Sequence, residues 1–177
     1  RRFLAASSFW RLIGNTLSLS VYGLVAGWPV PIALALGINY LKKRGYGRVI
    51  QTVTYAPHFI SSIVIVGMMN LLFSPSTGIV NSLLQFLGVE PIFFMGSPQL
   101  FSTMYVWSGI WQNMGWNSIV YLAALTAIDP TLHEAATMDG ATKWKRIWHI
   151  DLPGISSTIM ILLILNCGRI MNLGFEK

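Results

Sequence analysis

The chain has little charge for its length. Of its 177 residues, 12 are basic and 6 are acidic, whereas roughly a quarter of the residues of an ordinary soluble domain are charged. Four intervals contain no Asp, Glu, Lys or Arg: 12–41, 49–89, 91–128 and 152–168. Because about 20 apolar residues cross the hydrocarbon of a bilayer, each interval can hold one crossing. The composition therefore excludes an ordinary soluble domain and predicts a membrane protein.

Cysteine is nearly absent, and the motifs of common catalytic sites are missing. The single Cys167 excludes an internal disulfide and a cysteine-based metal site. No Gly-x-x-x-x-Gly-Lys-Ser/Thr loop is present to hold phosphates, so we do not expect this chain to hydrolyse ATP. His58, His133 and His149 lack ligand spacing, and a structural or interfacial role is predicted for each. We therefore predict no catalytic residue, metal site or cofactor in this chain.

Four spans are predicted, at about 14–41, 50–73, 101–127 and 154–173. Each must be a helix, because open sheet edges cannot lie in lipid. The first is expected to enter as an interfacial turn and to become helical near Leu17. The fold class predicted from this pattern is all-α, a polytopic transmembrane helix bundle forming a single domain over residues 1–177.

The basic residues indicate which side of the membrane is cytoplasmic. Segment 42–48 carries four of them and loop 128–153 carries three, whereas segment 74–100 has Glu90 as its only charge. The first two are therefore predicted inside and the third outside, although the three arginines of segment 1–11 count against this orientation. Because the basic residues lie in short loops, the net charge of +6 predicts a lipid surface as neighbour, not nucleic acid. An external residue 1 also suggests a longer protein with spans missing at one or both ends.

The polar loop 128–153 is too long for a passive connector. Asp129-Pro130 is expected to end the third span and begin a new helix. Thr131 and Glu134 have the spacing of a capping box, and Gly140 is expected to break this helix because glycine tolerates positive φ.

A second helix is predicted after this break, ended by Pro153. Its apolar face would consist of Ala141, Trp144, Ile147 and Trp148. On periodicity alone, the two helices form an interfacial pair with Trp and Lys as anchors on the inner membrane surface.

The residue types in this loop add a more specific interpretation. Glu-Ala-Ala, three residues, Gly, nine residues and Ile-x-Leu-Pro resemble the cytoplasmic signature of membrane subunits of binding-protein-dependent ABC importers. The matching positions are Glu134, Ala135, Ala136, Gly140, Ile150, Leu152 and Pro153, and Asp139 and Ala141 fit the form common among carbohydrate permeases.

Other segments extend the resemblance to most of residues 12–177. Tyr55-Ala56-Pro57, Gly78-Ile79-Val80-Asn81 and Gly115-Trp116 look like the maltose-type permease core. Gly174-Phe175-Glu176-Lys177 is similar to the polysaccharide-permease branch. The resemblance implies a MetI-like permease core in the bacterial cytoplasmic membrane.

This resemblance also implies a mechanism and a set of partners. The loop would be the coupling helix, with Glu134 offered to an ATPase surface, Gly140 making the turn, and Ala135 and Ala136 permitting close approach. Implied partners are two ATPase subunits that bind ATP and Mg²⁺, an extracytoplasmic solute-binding protein and a second permease subunit, usually a homologous different chain in carbohydrate systems.

Polar residues within the spans suggest a substrate path, because a polar group in lipid normally faces the protein interior or water. Aromatic faces and amides commonly hold sugars, but the same residues could serve as helix–helix contacts and an aromatic belt. Arg169 could instead snorkel to the outer surface. The candidates are Asn113, Trp116, Asn117 and Tyr121 in the third span and Asn166, Arg169 and Asn172 in the fourth.

The leading hypothesis is an ABC importer permease that moves an oligosaccharide inward by alternating access. A permease for an amino acid, peptide or ion would share the loop signature. A membrane channel or scaffold without a motor is the alternative from another class, and it predicts no ATPase partner. An intramembrane enzyme would need paired carboxylates or clustered histidines inside the spans, and the sequence has neither.

Overall fold

The computed structural model describes residues 7–41 and 44–168, which contain helices and turns and no strand. Ten α-helices follow one another within these ranges. They are α1 Ser7–Gly27, α2 Pro29–Asn39, α3 Arg44–Tyr55, α4 Ser62–Leu72, α5 Ile79–Phe86, α6 Pro98–Thr126, α7 Pro130–Met138, α8 Lys143–Arg146, α9 Leu152–Gly154 and α10 Ser156–Gly168.

Helices α1 and α2 form one long apolar rod. They meet at Trp28, whose backbone N–H still donates to the carbonyl of Leu24 at 2.9 Å, and Pro29 occupies the first turn of α2. Pro29 has no N–H with which to continue these backbone bonds, so the helix is interrupted for one residue without ending the rod. Within the described residues, Trp10–Asn39 is the one helix both long and apolar enough to cross a membrane.

Two bent helix pairs could each supply another crossing, giving up to three by length and composition. The first pair is 45–59 with 62–72, bent by 100°, and the second is 143–154 with 156–168, bent by 61°. In the first, a 3₁₀ turn Ala56–Phe59 contains the buried Pro57 and leads to the extended residue Ile60. The amide of Gln112 on α6 donates to the Ile60 carbonyl at 2.8 Å, so α6 supplies the bond that the broken helix cannot make.

Helix α6 is the central element against which α1, α2 and α3 pack. The C-terminal half of α6 forms a buried core cluster with α2 and with Ile155, which lies between α9 and α10, and Ala35 and Ile155 are completely buried. The remaining core residues are Ile32, Tyr121 and Leu125. Gly115 allows the closest approach, because a Cβ at that position would collide with the backbone carbonyl of Thr54 on α3.

Segment 73–97 is organised by one buried amide. Asn81 on α5 is 1 % exposed, and its Nδ2 lies 3.0–3.1 Å from the carbonyls of Phe73, Ser74 and Ile92. Its Oδ1 accepts from the Ile92 N–H at 2.8 Å. The side chain therefore holds both ends of this segment against α5.

The helix bounds differ from the sequence predictions in three places. The first helix is already present at Ser7 rather than only from near Leu17. The basic segment 42–48 is not wholly a loop, since α3 begins at Arg44. The predicted second span is broken near Ile60 rather than continuous, and the four-span organisation stays a prediction.

We expect Gly115→Ala to destabilise the bundle, because the added methyl group overlaps the Thr54 backbone and α3 must move away from α6. Overpacking of this kind typically costs about 1–3 kcal/mol in the free energy of unfolding. The measurement is the temperature at which the detergent-solubilised protein loses its monodisperse elution peak. Gly37→Ala in α2 is the control, because no atom lies within 4 Å of the added methyl group; equal stability of both variants would contradict the close packing of α3 and α6.

Candidate functional site

Helix α7 begins at Pro130 and is capped by Asp129. The Asp129 Oδ1 accepts from the Thr131 backbone N–H at 2.9 Å. Hydrogen bonds from Thr131, first from its backbone and then from its side chain, lower the pKa of Asp129. The predicted capping box is therefore wrong: the helix starts two residues earlier than an N-cap at Thr131 would require, and Glu134 is exposed instead of capping the helix.

Gly140 makes the turn after α7, as its position in the sequence predicts. Its φ is +72°, a conformation that costs glycine little. The Ala141 N–H donates back to the Ala136 carbonyl at 2.8 Å, and the Gly140 N–H donates to the Thr137 carbonyl at 3.1 Å. These are the bonds of a Schellman C-cap. Gly140, Ala136 and Ala141 therefore define the end of α7 together.

The return segment is a nearly continuous helix from Lys143 to Gly154. Thr142 caps it through a bond from the Lys145 N–H to its Oγ1, at 3.4 Å, and a π-helical turn occupies Ile147–Asp151. The helix ends at Gly154, one residue after Pro153, close to the predicted end. The chain then bends at Ile155.

The apolar face predicted for this helix is only partly buried in the chain. Ala141 precedes the helix, and Trp144 and Trp148 are 72 % and 64 % exposed. Two exposed indole rings beside basic residues suit a lipid interface or a partner surface, so the interfacial interpretation remains open beside the coupling one.

The signature residues divide into an exposed set and a packed set. Glu134 and Ala135 are exposed on α7 and Asp139 is exposed at its C-cap, while Ala136 is half-buried. Leu152 packs against the core cluster of α2, α6 and α10. Ile150 is also half-buried, whereas Pro153 is exposed. One end of the motif is thus available to a partner, and the other is anchored in the bundle.

A shallow open groove lies beside the exposed end of the motif. Its walls come from both helices of the loop, and it contains groups of both charges. The lining residues are His133, Glu134, Thr137, Met138 and Arg146. Met138 is 88 % exposed, so the groove has an apolar rim beside a carboxylate and a guanidinium.

Asp151, the variable residue of Ile-x-Leu-Pro, is completely buried behind this groove. Tyr40, directly after α2, donates its hydroxyl to Oδ2 of Asp151 at 2.6 Å. His133 on α7 places Nε2 3.3 Å from Oδ1. Burial, and then the bond to Asp151, raise the pKa of Tyr40 well above its usual range, against the opposing effect of Arg146. Tyr40 is therefore a neutral donor at any physiological pH.

A second cluster forms where the bent pair α3–α4 meets α6. Nδ1 of His58 lies 3.0 Å from Oδ1 of Asn113. The His58 ring stacks on Trp116 with centroids 4.6 Å apart and planes 7° apart, and Phe59 meets the same indole edge-on. Trp116 is 44 % exposed, so this aromatic and amide surface is accessible from outside the chain.

The sequence analysis did not assign His58 or Phe59 to this cluster. Periodicity within one helix cannot show that a turn 50 residues away packs on its face. The one available signal was Pro57, because a proline within a span marks a place where the backbone departs from the helix.

The predicted substrate-path residues are not all together. Asn117 is exposed on α6, near Asn113 and Trp116. Tyr121, predicted for the same face, is 3 % exposed in the core, because α2 packs against the C-terminal half of α6. Asn166 is exposed on α10. Arg169 and Asn172 lie outside the described residues.

The chain is similar to known membrane components of transport systems. A family model described as "Binding-protein-dependent transport system inner membrane component" matches residues 27–175. Protein LplB of Bacillus subtilis (strain 168) is 43 % identical over 175 residues, which are 99 % of this chain and 55 % of LplB. The polygalacturonan/rhamnogalacturonan transport system permease protein YteP of the same organism is 42 % identical over 175 residues, 99 % of this chain and 54 % of YteP.

Among solved structures, this chain is similar to the crystal structure of a bacterial alginate ABC transporter in complex with an alginate pentasaccharide-bound periplasmic protein. The TM-score is 0.95 at 44 % identity, covering 99 % of this chain and 61 % of that chain. The chain thus spans little more than half the length of its curated relatives.

These matches confirm the all-α class and the resemblance predicted from the loop signature. The family description also places the protein in the inner membrane as a transport component rather than an enzyme. The chain belongs to the family of inner membrane components of binding-protein-dependent transport systems.

Proposed function

We propose that this chain forms the core of a permease subunit of a bacterial ABC importer that moves an oligosaccharide inward. The observation that carries the proposal is the geometry of loop 128–153. Glu134 and Ala135 lie exposed on α7, while Leu152 at the other end of the signature packs against the core cluster. A loop with a free end and an anchored end can pass a force from a partner to the spans.

The proposed mechanism is alternating access driven by separate ATPase subunits. ATP and Mg²⁺ bind to those subunits, whose closure pulls the two coupling loops of the transporter together. Glu134 and Ala135 make the contact, Ala136, Asp139, Gly140 and Ala141 shape the turn, and Ile150, Leu152 and Pro153 join the loop to the spans. The spans open outward to accept substrate and then release it inward.

The proposed partners follow from this cycle. A second permease subunit, a homologous but different chain, completes the pore, and an extracytoplasmic solute-binding protein delivers substrate at segment 74–100. The alginate transporter similar to this chain was crystallised with such a periplasmic protein. In this arrangement the chain is a multi-pass protein of the bacterial cytoplasmic membrane with four spans over residues 1–177.

We propose acidic oligosaccharides as the substrate class to test first. Polygalacturonan and alginate, named for the two relatives above, are polymers of uronic acids and are anionic at neutral pH. The accessible rings and amides of His58, Asn113 and Trp116 supply the stacking surface and hydrogen-bonding groups that a sugar needs.

The remaining path residues extend this surface along the spans. Asn117 lies on the same face of α6 as Trp116 and is exposed. Asn166, Arg169 and Asn172 are proposed to line the path from the fourth span, with Arg169 supplying a cation for an acidic sugar. Tyr121 is better explained by its packing in the core.

One experiment distinguishes the proposed importer from a membrane channel or scaffold without a motor. The protein is purified with its genomic neighbours for the second permease and the ATPase, reconstituted in liposomes, and supplied with binding protein and uronic-acid oligosaccharides. The proposal expects solute uptake only when ATP is present on the ATPase side. Flux independent of ATP, with no copurifying ATPase, would establish the channel instead.

We expect Glu134→Lys to abolish copurification of the ATPase and to reduce transport by at least about tenfold, because a cation replaces the proposed contact carboxylate. The fold should survive, since Glu134 is exposed and does not cap α7. Glu90→Lys is the matched control: it changes the charge equally on the side predicted to be external, and it should leave copurification intact. Normal ATPase binding by Glu134→Lys would contradict the proposed contact.

We expect Trp116→Ala to raise the half-saturating substrate concentration for uptake by about three- to tenfold, because it removes the ring on which His58 stacks and a sugar would lie. The measurement is uptake by proteoliposomes over a range of oligosaccharide concentrations. Trp111→Ala is the matched control, a tryptophan of similar exposure, 43 % against 44 %, on another face of α6. An equal shift in both variants would remove Trp116 from the path.

A further inference from the structure

Asp151 joins three segments that are distant in sequence. Its carboxyl group is 0 % exposed, at the end of the return helix. Tyr40, 111 residues away at the end of α2, donates to one oxygen. His133 of α7 lies 3.3 Å from the other. This carboxyl group is therefore placed where the first span, α7 and the return helix meet.

The buried carboxyl group of Asp151 needs polar partners as well as close packing. An unpaired carboxylate in a water-free site costs several kcal/mol, so a buried one needs partners. Oδ2 has Tyr40, but Oδ1 accepts no aligned hydrogen bond from any described residue, and the His133 contact is an ion-pair distance rather than an aligned bond. Any movement that takes α7 away would leave Oδ1 with no partner. The free-energy cost of that unpaired oxygen opposes the separation of α7 from Asp151, and hence from Tyr40, which is bonded to Oδ2.

Arg146 adds a parallel connection between the same elements. Its Nη1 donates to Thr137 Oγ1 on α7 at 3.0 Å, and its guanidinium carbon lies 5.6 Å from the centre of the Tyr40 ring, within cation–π range. Two residues of α7 one turn apart, His133 and Thr137, are thus both tied to the return helix. Two contacts one turn apart oppose rotation of α7 as well as its translation.

We propose that Asp151 is a positioning residue that makes α7 and the cytoplasmic end of α2 move as one body, with His133 and Tyr40 acting through it. The inference rests on the proposed function and deepens it, since it names the groups that carry ATPase closure into the membrane. The connection continues inward, because Ile32 and Ala35 of α2 pack in the core with Leu125 of α6. A displacement of α7 then reaches the helix that carries Asn113 and Trp116.

The central experiment compares His133→Leu with His133→Gln in the complete transporter, reconstituted with its ATPases and binding protein. Leucine removes the polar contact at similar volume, whereas the glutamine amide can still donate to Oδ1. His133→Leu is expected to lower the number of substrate molecules moved per ATP hydrolysed by roughly fivefold or more, while His133→Gln stays within about twofold of the unchanged protein. His149→Leu is the control, because His149 is exposed and contacts the Lys145 carbonyl instead.

The readout separates positioning from a merely structural role. Both ATPase copurification and basal ATP hydrolysis are measured on the same preparations. The proposal expects them to be unchanged in His133→Leu while transport per ATP falls. Loss of assembled complex with normal transport per ATP in what remains would overturn it, and so would equal behaviour of the leucine and glutamine variants.

A double-mutant cycle tests whether His133 acts through Asp151. In an Asp151→Leu background, His133→Leu should cause no further fall in transport per ATP. Tyr40→Phe, which keeps the ring beneath Arg146 but removes the hydroxyl, should reproduce the fall on its own and supplies the test if Asp151→Leu does not fold. The proposal would be overturned if the effects of the His133 and Asp151 changes were additive. It would also be overturned if Tyr40→Phe moved as much substrate per ATP as the unchanged protein.

Failure of this inference is distinguishable from failure of the proposed function. If the unchanged protein shows no ATP-dependent uptake, the importer assignment itself is wrong. If it transports normally and His133→Leu and Tyr40→Phe remain fully coupled, the importer assignment stands and Asp151 has no positioning role.

Discussion

Helix α6 carries polar side chains at its centre, and the rest of the bundle is arranged so that they find partners. Hydrocarbon offers no hydrogen bonds, so each buried polar group must be satisfied by protein. Gln112 donates to the free carbonyl at Ile60, where α3 and α4 are broken, and Ser118 donates to the Gly115 carbonyl. The bent pair thus depends on α6 for a hydrogen bond to the Ile60 carbonyl, and the buried side-chain amide of Gln112 depends on the bent pair for an acceptor.

The same arrangement explains why a polar surface can exist inside an apolar chain. Gly115 lets the α3 backbone approach α6 closely, which brings the 3₁₀ turn after α3 against Asn113 and Trp116. His58 then stacks on the indole, which is still 44 % exposed. A site built in this way is sensitive to helix displacement, because two of its side chains belong to the turn and two to α6.

Loop 128–153 is held in place in a different way. Its first helix is short and mostly exposed, so it lacks the buried apolar area that holds the spans. It is instead fixed by directional contacts: the Asp129 cap, the Schellman turn at Gly140, and the polar cluster around Asp151. Directional contacts keep a short helix in one orientation while most of its surface, including Glu134, stays exposed.

The sequence by itself determined the class, the family and the chemistry of the loop. Charge-free intervals, the Asp129-Pro130 start and Gly140 are local signals, and the spacing from Glu134 to Pro153 is a property of the chain alone. The helix cap was misassigned to Thr131 because two capping patterns overlap within three residues, and Pro130 favours the earlier start. Only the tertiary structure showed that Asp151 lies between Tyr40 and His133, that His58 covers Trp116 and that Tyr121 is buried. Those outcomes depend on how helices cross and where one breaks, and contacts between residues 55 or 111 positions apart leave no periodic trace in either segment.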